Sequence, residues 1–254
     1  EGAVDYAFWR SHRYTTVNDD ADPDHINWSG FHFSELDNTV ERVVLPFVEN
    51  VTAAGGTPLV NLNYVAFTAQ NGAGLPYIHN DAAEYAEMML ATFIHLDSTY
   101  GLVPDYLEVI LEPDNVAQWT GYTIGNAVVA TKTKLAAAGY TPEFIAPSTT
   151  NMGGAVPYFD QMATVTGALD AMAELSYHRY GGVSDENLQT IDQRRQTYDL
   201  GTAMLEHIGS GHQDLHDDLT LANCSSWQQY TLAGLTTSDN GGAYEGDIGP
   251  LKGG

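Results

Sequence analysis

The chain has 254 residues, 43% of them hydrophobic, and 33 acidic against 9 basic side chains give a formal net charge of −24. That length suits one barrel of about 250 residues or two small domains, and the acidic balance argues against nucleic acid and anionic membranes as partners. Cys224 is the sole cysteine, so no intrachain disulfide exists, and no stretch approaches the roughly 20 apolar residues of a membrane helix.

Val4 to Arg13 reads as a strand that turns polar at its end, with Tyr6, Phe8, Arg10 and His12 on one face. Residues 14–33 form a polar loop. Ser34 is placed to cap a helix running to about Ala54, with Val40, Val43, Val44, Phe47, Val48 and Val51 as its apolar stripe. Pro46 inside that stripe predicts a kink or break. Pro58 to Phe67 is the next strand, with Leu59, Asn61 and Asn63 facing one way. After a Gly-containing loop, 68–80, Asn80 or Asp81 starts a helix that turns Tyr85, Met88, Met89, Phe93 and Leu96 inward and stops near Gly101.

Tyr106 to Asn115, YLEVILEPDN, is the most informative stretch. Leu107, Val109 and Leu111 alternate with Glu108, Ile110 and Glu112, and Pro113 stops the ladder. If the first three pack on covering helices, Glu112 faces inward at the carboxyl end of its strand, where barrel enzymes place catalysis.

A loop from Val116 to Tyr122 carries Trp119, and a helix with Val128, Val129 and Leu135 follows to Gly139. Phe144 to Pro147 is a short strand leading into Ser148, Thr149, Thr150 and Asn151. A helix near 156–168 precedes a strand from Met172 to Tyr180, and Ser184 caps a helix with Leu188, Ile191 and Tyr198. Thr202 to Glu206, TAMLE, repeats the form of an apolar run ending in Glu. A short helix, 214–222, and a final strand from Ser225 to Ala233 with Trp227 precede a Gly-rich tail from Thr236.

Strands alternating with helices imply βαβ units and a parallel sheet. We count seven strands and six helices, with no internal repeat and no linker. The expectation is therefore one α/β domain over residues 1–254, a (β/α)₈ TIM barrel that is incomplete, its missing first strand falling before Glu1. Two strand-end glutamates far apart in sequence suggest a carboxylate pair, the requirement of glycosidic cleavage.

The order of elements resembles the glycoside hydrolases of clan A, closest to barrels of the glucosylceramidase and xylanase type and more loosely to agarase-like members. That clan places its acid/base at the end of strand four and its nucleophile at the end of strand seven. If the Val4 strand is strand two, LEPD falls on the former and TAMLEH on the latter. The resemblance implies a retaining hydrolase of O-glycosidic bonds in a poly- or oligosaccharide, with Glu112 as acid/base, its pKa raised, and Glu206 as nucleophile. It implies Arg10 as the cation beside Glu206 and Trp227 as the floor under a sugar ring. A secreted or periplasmic protein is expected. Clan members usually carry Asn immediately before the acid/base; here that position is Leu111.

Further substrate-binding candidates are Trp119 as a wall, His178 and Tyr180 ahead of the Glu206 strand, and the amides of Asn61, Asn63 and Asn151. Each has a structural alternative: Trp119 and Trp227 as core, His178 as a satisfied core histidine, Asn61 and Asn63 as loop supports, and Arg10 as a partner of Glu108 or Asp5. Two other functions stay open. One is a carbohydrate-binding barrel without hydrolysis. The other is a metal-dependent hydrolase using His207, His212 and His216, although there is no HExxH pattern. No cofactor is expected: the sequence has neither a Walker A loop nor GxGxxG.

Overall fold

The structure, a computed structural model, describes residues 22–31, 33–66 and 80–228. The expected Val4 strand with Arg10, nearly all of loop 68–80 and the tail from Thr236 lie outside them.

Six strands form one parallel sheet in the order in which they occur in the chain. They are β1 (Asn61–Asn63), β2 (Tyr106–Glu108), β3 (Glu143–Asn151), β4 (Met172–Gly181), β5 (Gly201–Glu206) and β6 (Ser226–Trp227). Parallel neighbours need crossovers, and helices supply them: α3 (Ala82–Tyr100), α4 (Gly121–Ala137), α5 (Met152–Ala163), α6 (Asp185–Tyr198) and α7 (His212–Leu221) follow β1 to β5 in turn. The sheet curls into part of a barrel, so the incomplete (β/α)₈ architecture is what the described residues adopt.

Two helical pieces precede β1: α1 (Ser34–Thr39) and α2 (Leu45–Ala53), joined by a π turn over Val40–Val44. Pro46 explains the break, because its ring opposes the carbonyl four residues earlier and it donates no hydrogen bond. Phe33 occupies the capping position expected of Ser34 and makes no side-chain cap. The expected apolar stripe does not hold either: Val40 is buried, but Val43 and Phe47 are 61% and 53% exposed. A π turn adds a residue to the ladder, so a stripe drawn at a period of 3.6 drifts off one face.

The other helix ends follow local chemistry. The Asp81 carboxylate accepts the Ala83 and Glu84 amides at 3.0 and 3.3 Å, and Gly101 closes α3 in the left-handed region at φ 62°. The Ser184 hydroxyl accepts the Asn187 amide at 3.1 Å at the start of α6.

Strand alternation then sorts the core. Leu107, Val109, Phe144, Ala146, Leu175, Tyr177 and Met204 point to the helices and join Tyr85, Met89, Ile124, Phe159 and Ile191 in one buried cluster. Ile145, Ala203 and Leu205, with Tyr106 packed on them, make a second, smaller cluster on the opposite side, inside the curl of the sheet. The expected outward role of Leu107 and Val109 is therefore met; Leu111 is only half-buried and outside that cluster, whereas Ile110, in step with Glu108, belongs to it.

Candidate active site

The site is built at the carboxyl ends of β2, β4 and β5. On β4, Tyr177 and Arg179 turn toward the helices while His178 and Tyr180 turn inward, as a period of two requires. His178 is fully buried, and its Nδ1 lies 3.1 Å from Oε1 of Glu112. Tyr180 donates its hydroxyl to Oε1 of Glu206 at 2.9 Å. One ligand atom each from Glu112, His178 and Glu206 lies within 4.8 Å of the other two. The two glutamates, from the ends of strands three apart in the sheet, thus come together on its inner side.

Neither glutamate arrives there by simple alternation. Glu112 sits in the left-handed region at φ 51°, a conformation that costs a non-glycine residue on the order of 1–3 kcal/mol. The surroundings hold it: the Glu112 amide donates to the Ser148 carbonyl at 3.0 Å, and the Leu111 amide donates to the Tyr64 carbonyl at 2.8 Å. Beyond it, Pro113–Asn115 form a 3₁₀ turn. That turn brings Nδ2 of Asn115 to 3.0 Å from Oε2 of Glu112 and to 2.7 Å from the Thr150 hydroxyl. The Asp114 carboxylate accepts the Thr150 and Asn151 amides at 2.8 and 3.0 Å, tying the mouth of β2 to that of β3.

On β5, strict alternation would place Glu206 beside Met204, toward the helices. The register with β4 shifts between Tyr177 and His178, so Tyr177 pairs with Met204 but His178 pairs with Glu206. One extra residue on β5 re-aims the glutamate into the curl, the usual effect of a bulge beside a site. Burial pushes the Glu206 carboxyl up, and the charges of Glu112 and Glu108 push the same way; His178 and the Tyr180 hydroxyl oppose them. Burial and the neighbouring Glu206 raise the Tyr180 phenol well above its ordinary value, so it stays a donor.

Three candidates lie elsewhere. Trp119 is completely buried and packs against Tyr64 and Tyr85, so it belongs to the core and forms no wall. Trp227 pairs in register with Met204, which faces the helices, and its indole N–H donates to Asp218 on α7 at 2.9 Å; it is no floor of the pocket. Asn151 caps α5, its side chain accepting the Gly153 amide at 2.9 Å. Asn61 sits one layer below the glutamate pair, exchanging hydrogen bonds with Glu108: Nδ2 to Oε2 at 3.1 Å, and the Glu108 amide to Oδ1 at 3.0 Å. Asn63 is exposed at the end of β1. Arg10 lies outside the described residues.

The three histidines do not converge. His207 bonds Ser210 at 2.7 Å beside Tyr180, whereas His212 and His216 are exposed on α7. Among the described residues, the one group of three side chains spaced to hold a metal is Glu112, His178 and Glu206. Sequence reading missed Asn115 and Glu108. Both carried a signal: residues three apart share a side of a 3₁₀ turn, and Glu108 lies on the strand face opposite its neighbours Leu107 and Val109.

The sequence matches no family model and no curated protein. Solved structures share its fold. SrfJ from Salmonella typhimurium aligns with a TM-score of 0.60 at 16% identity over 84% of this chain and 52% of that one. Xyn30A of Clostridium acetobutylicum, a glycoside hydrolase family 30 subfamily 8 xylanase, gives 0.57 at 18% over 84% and 56%. The endo-β-1,4-glucanase Xac0029 of Xanthomonas axonopodis pv. citri gives 0.53 at 13% over 78% and 70%. The chain spans about half the length of the first two. At these identities the likeness is one of fold alone.

Proposed function

We propose that this chain is a retaining glycoside hydrolase that cleaves O-glycosidic bonds in a polysaccharide or oligosaccharide. The observation that carries the reading is the approach of the Glu112 and Glu206 carboxyl oxygens to within 4.8 Å. Carboxyl groups about 5–5.5 Å apart suit double displacement, whereas inversion needs about 6.5–9.5 Å to admit a water.

Glu206 attacks the anomeric carbon as a carboxylate, and the Glu112 proton passes to the departing glycosidic oxygen. Glu112 then takes a proton from water as that water opens the glycosyl ester, which restores both groups and retains the anomeric configuration. The Tyr180 hydroxyl holds the attacking carboxylate through Oε1. His178 and Asn115 grip opposite oxygens of Glu112 and fix its direction. Two like charges this close resist joint ionisation, which favours one shared proton in the resting site.

The site opens to solvent beside Tyr180, 38% exposed, which offers an aromatic ring to a sugar face. Trp119 and Trp227 are committed to packing, so among the described residues stacking falls to Tyr180. Xylans and β-linked glucans are the first substrates to try, since structures of this fold include enzymes named for them. A polymeric substrate also places the protein outside the cytoplasm, in the medium or periplasm; no described helix is long and apolar enough to cross a membrane.

The test is hydrolysis across a panel of polysaccharides, with the anomeric configuration of the first product read by NMR. Retention, lost together with turnover in Glu206→Ala, supports the reading. Inversion, or full activity in that variant, ends it. Sugar affinity with no product after long incubation supports a non-catalytic carbohydrate-binding barrel, the reading that Leu111 in place of the usual Asn favours.

A further inference from the structure

We propose that Glu112, His178 and Glu206 also bind a divalent transition cation, of the Zn²⁺ class, and that the bound ion closes the pocket to sugar. Only the blocking effect rests on the glycosidase reading; binding follows from the ligands themselves.

The geometry favours an ion of this size. Ligands at right angles around a metal with bonds of about 2.1 Å stand about 3.0 Å apart, and opposed ligands about 4.2 Å apart. Nδ1 of His178 and Oε1 of Glu112 are 3.1 Å apart, and all three ligand atoms fall within 4.8 Å of one another. A small rotation of Glu206 about its own side chain completes the set. Among the described residues its side-chain hydrogen bond comes from Tyr180, a partly exposed side chain that can follow it.

The His178 ring is fully buried, and the nitrogen it turns toward the carboxylates is Nδ1.

The donor set selects the ion. One imidazole nitrogen and two carboxylates suit Zn²⁺, Mn²⁺ or Cu²⁺, while Ca²⁺ prefers 6–8 oxygen ligands and Mg²⁺ keeps several waters. The two carboxylates carry the charge that a divalent cation neutralises, relieving their mutual repulsion. The solvent-facing side beside Tyr180 gives an entry path and room for a water ligand. Asn115 on Oε2 of Glu112 already provides the outer hydrogen bond that orients a ligating carboxylate. An ion here occupies the place of the reacting anomeric carbon, so binding and hydrolysis exclude each other.

Calorimetric titration of the full chain with ZnCl₂, without sugar, tests the site. One ion per chain is expected, weakened at least about tenfold in His178→Ala and in Glu206→Gln, and unchanged in the double variant His212→Ala/His216→Ala. Circular dichroism checks the fold of each; if His178→Ala does not fold, Glu206→Gln decides. Unaltered binding in Glu206→Gln, loss of binding in the His212/His216 variant, or no uptake at millimolar Zn²⁺ overturns the proposal, as does stimulation of hydrolysis by the metal. Zinc bound through these residues with no polysaccharide cleaved leaves the cation site standing and removes the glycosidase reading. Hydrolysis with no zinc bound does the reverse.

Discussion

The two faces of β4 put adjacent residues to opposite uses. Toward the helices, Tyr177 and Arg179 meet Asp218: the tyrosine hydroxyl donates to Oδ1 at 2.8 Å, the guanidinium to the same oxygen at 2.6 Å, and the Trp227 indole to Oδ2 at 2.9 Å. Arg179 also reaches Asp214 at 2.9 Å. Burial pushes the Asp218 carboxyl up while these donors pull it down, and the carboxylate bolts β4, β6 and α7 together. Toward the inside, His178 and Tyr180 each meet one glutamate. The outer cluster is tied by four hydrogen bonds to Asp218 and Asp214, while each face keeps one buried nitrogen without a hydrogen-bond partner among the described residues, Nε of Arg179 outside and Nε2 of His178 inside. The difference teaches where the chain spends rigidity and where it keeps chemistry, and both halves can be broken separately.

The largest effect is expected at Glu206. Glu206→Ala should lower kcat on a cleavable polysaccharide by about a thousandfold or more, since it removes the covalent route, with the melting temperature kept or raised. A variant that retains turnover would sink the inner-face assignment. Asp218→Ala strikes the other face. It removes the fully buried partner of Arg179 and leaves Asp214 alone to hold the guanidinium; a broken buried pair costs up to about 3–5 kcal/mol, which chemical denaturation would read as a large loss of stability.

Tyr180→Phe is milder. A hydrogen bond to a charged group contributes about 1.5–3 kcal/mol, so kcat/KM should fall roughly ten- to a hundredfold while the denaturation midpoint barely moves; an equal loss of stability would make Tyr180 a packing residue. The smallest effect is pH-dependent. Glu206 is raised in the folded chain, so the fold holds its proton more tightly than the unfolded chain does. Stability is therefore undiminished below the ordinary carboxylate pKa and is lost as pH climbs through the raised value. Glu206→Gln should match the wild type in acid and exceed it at neutral pH. The opposite trend in melting temperature against pH would show that the carboxyl is not raised.

The same contrast explains what could be read before any coordinates. Element order, the Asp81 and Ser184 caps, the Gly101 stop and the Pro46 break are local: each depends on a few neighbouring residues and their backbone chemistry. Glu112 was legible because a long alternation ended on it. Trp227 was not, because the side it faces depends on its pairing with Met204, a residue on another strand. Trp119 was misplaced for a similar reason, since Tyr64 and Tyr85, far away in sequence, claim its ring.

What the sequence determined by itself is the succession of strands and helices, the parallel α/β class, and two carboxylates at strand ends, since these follow from periodicity and turn chemistry within short windows. What only the tertiary structure decided is direction. The shifted register of β5 against β4 turned Glu206 inward, and the left-handed backbone at Glu112, held by Ser148 and Tyr64 carbonyls, brought Asn115 onto its carboxylate. Both depend on hydrogen bonds between segments remote in the chain, which no local pattern encodes.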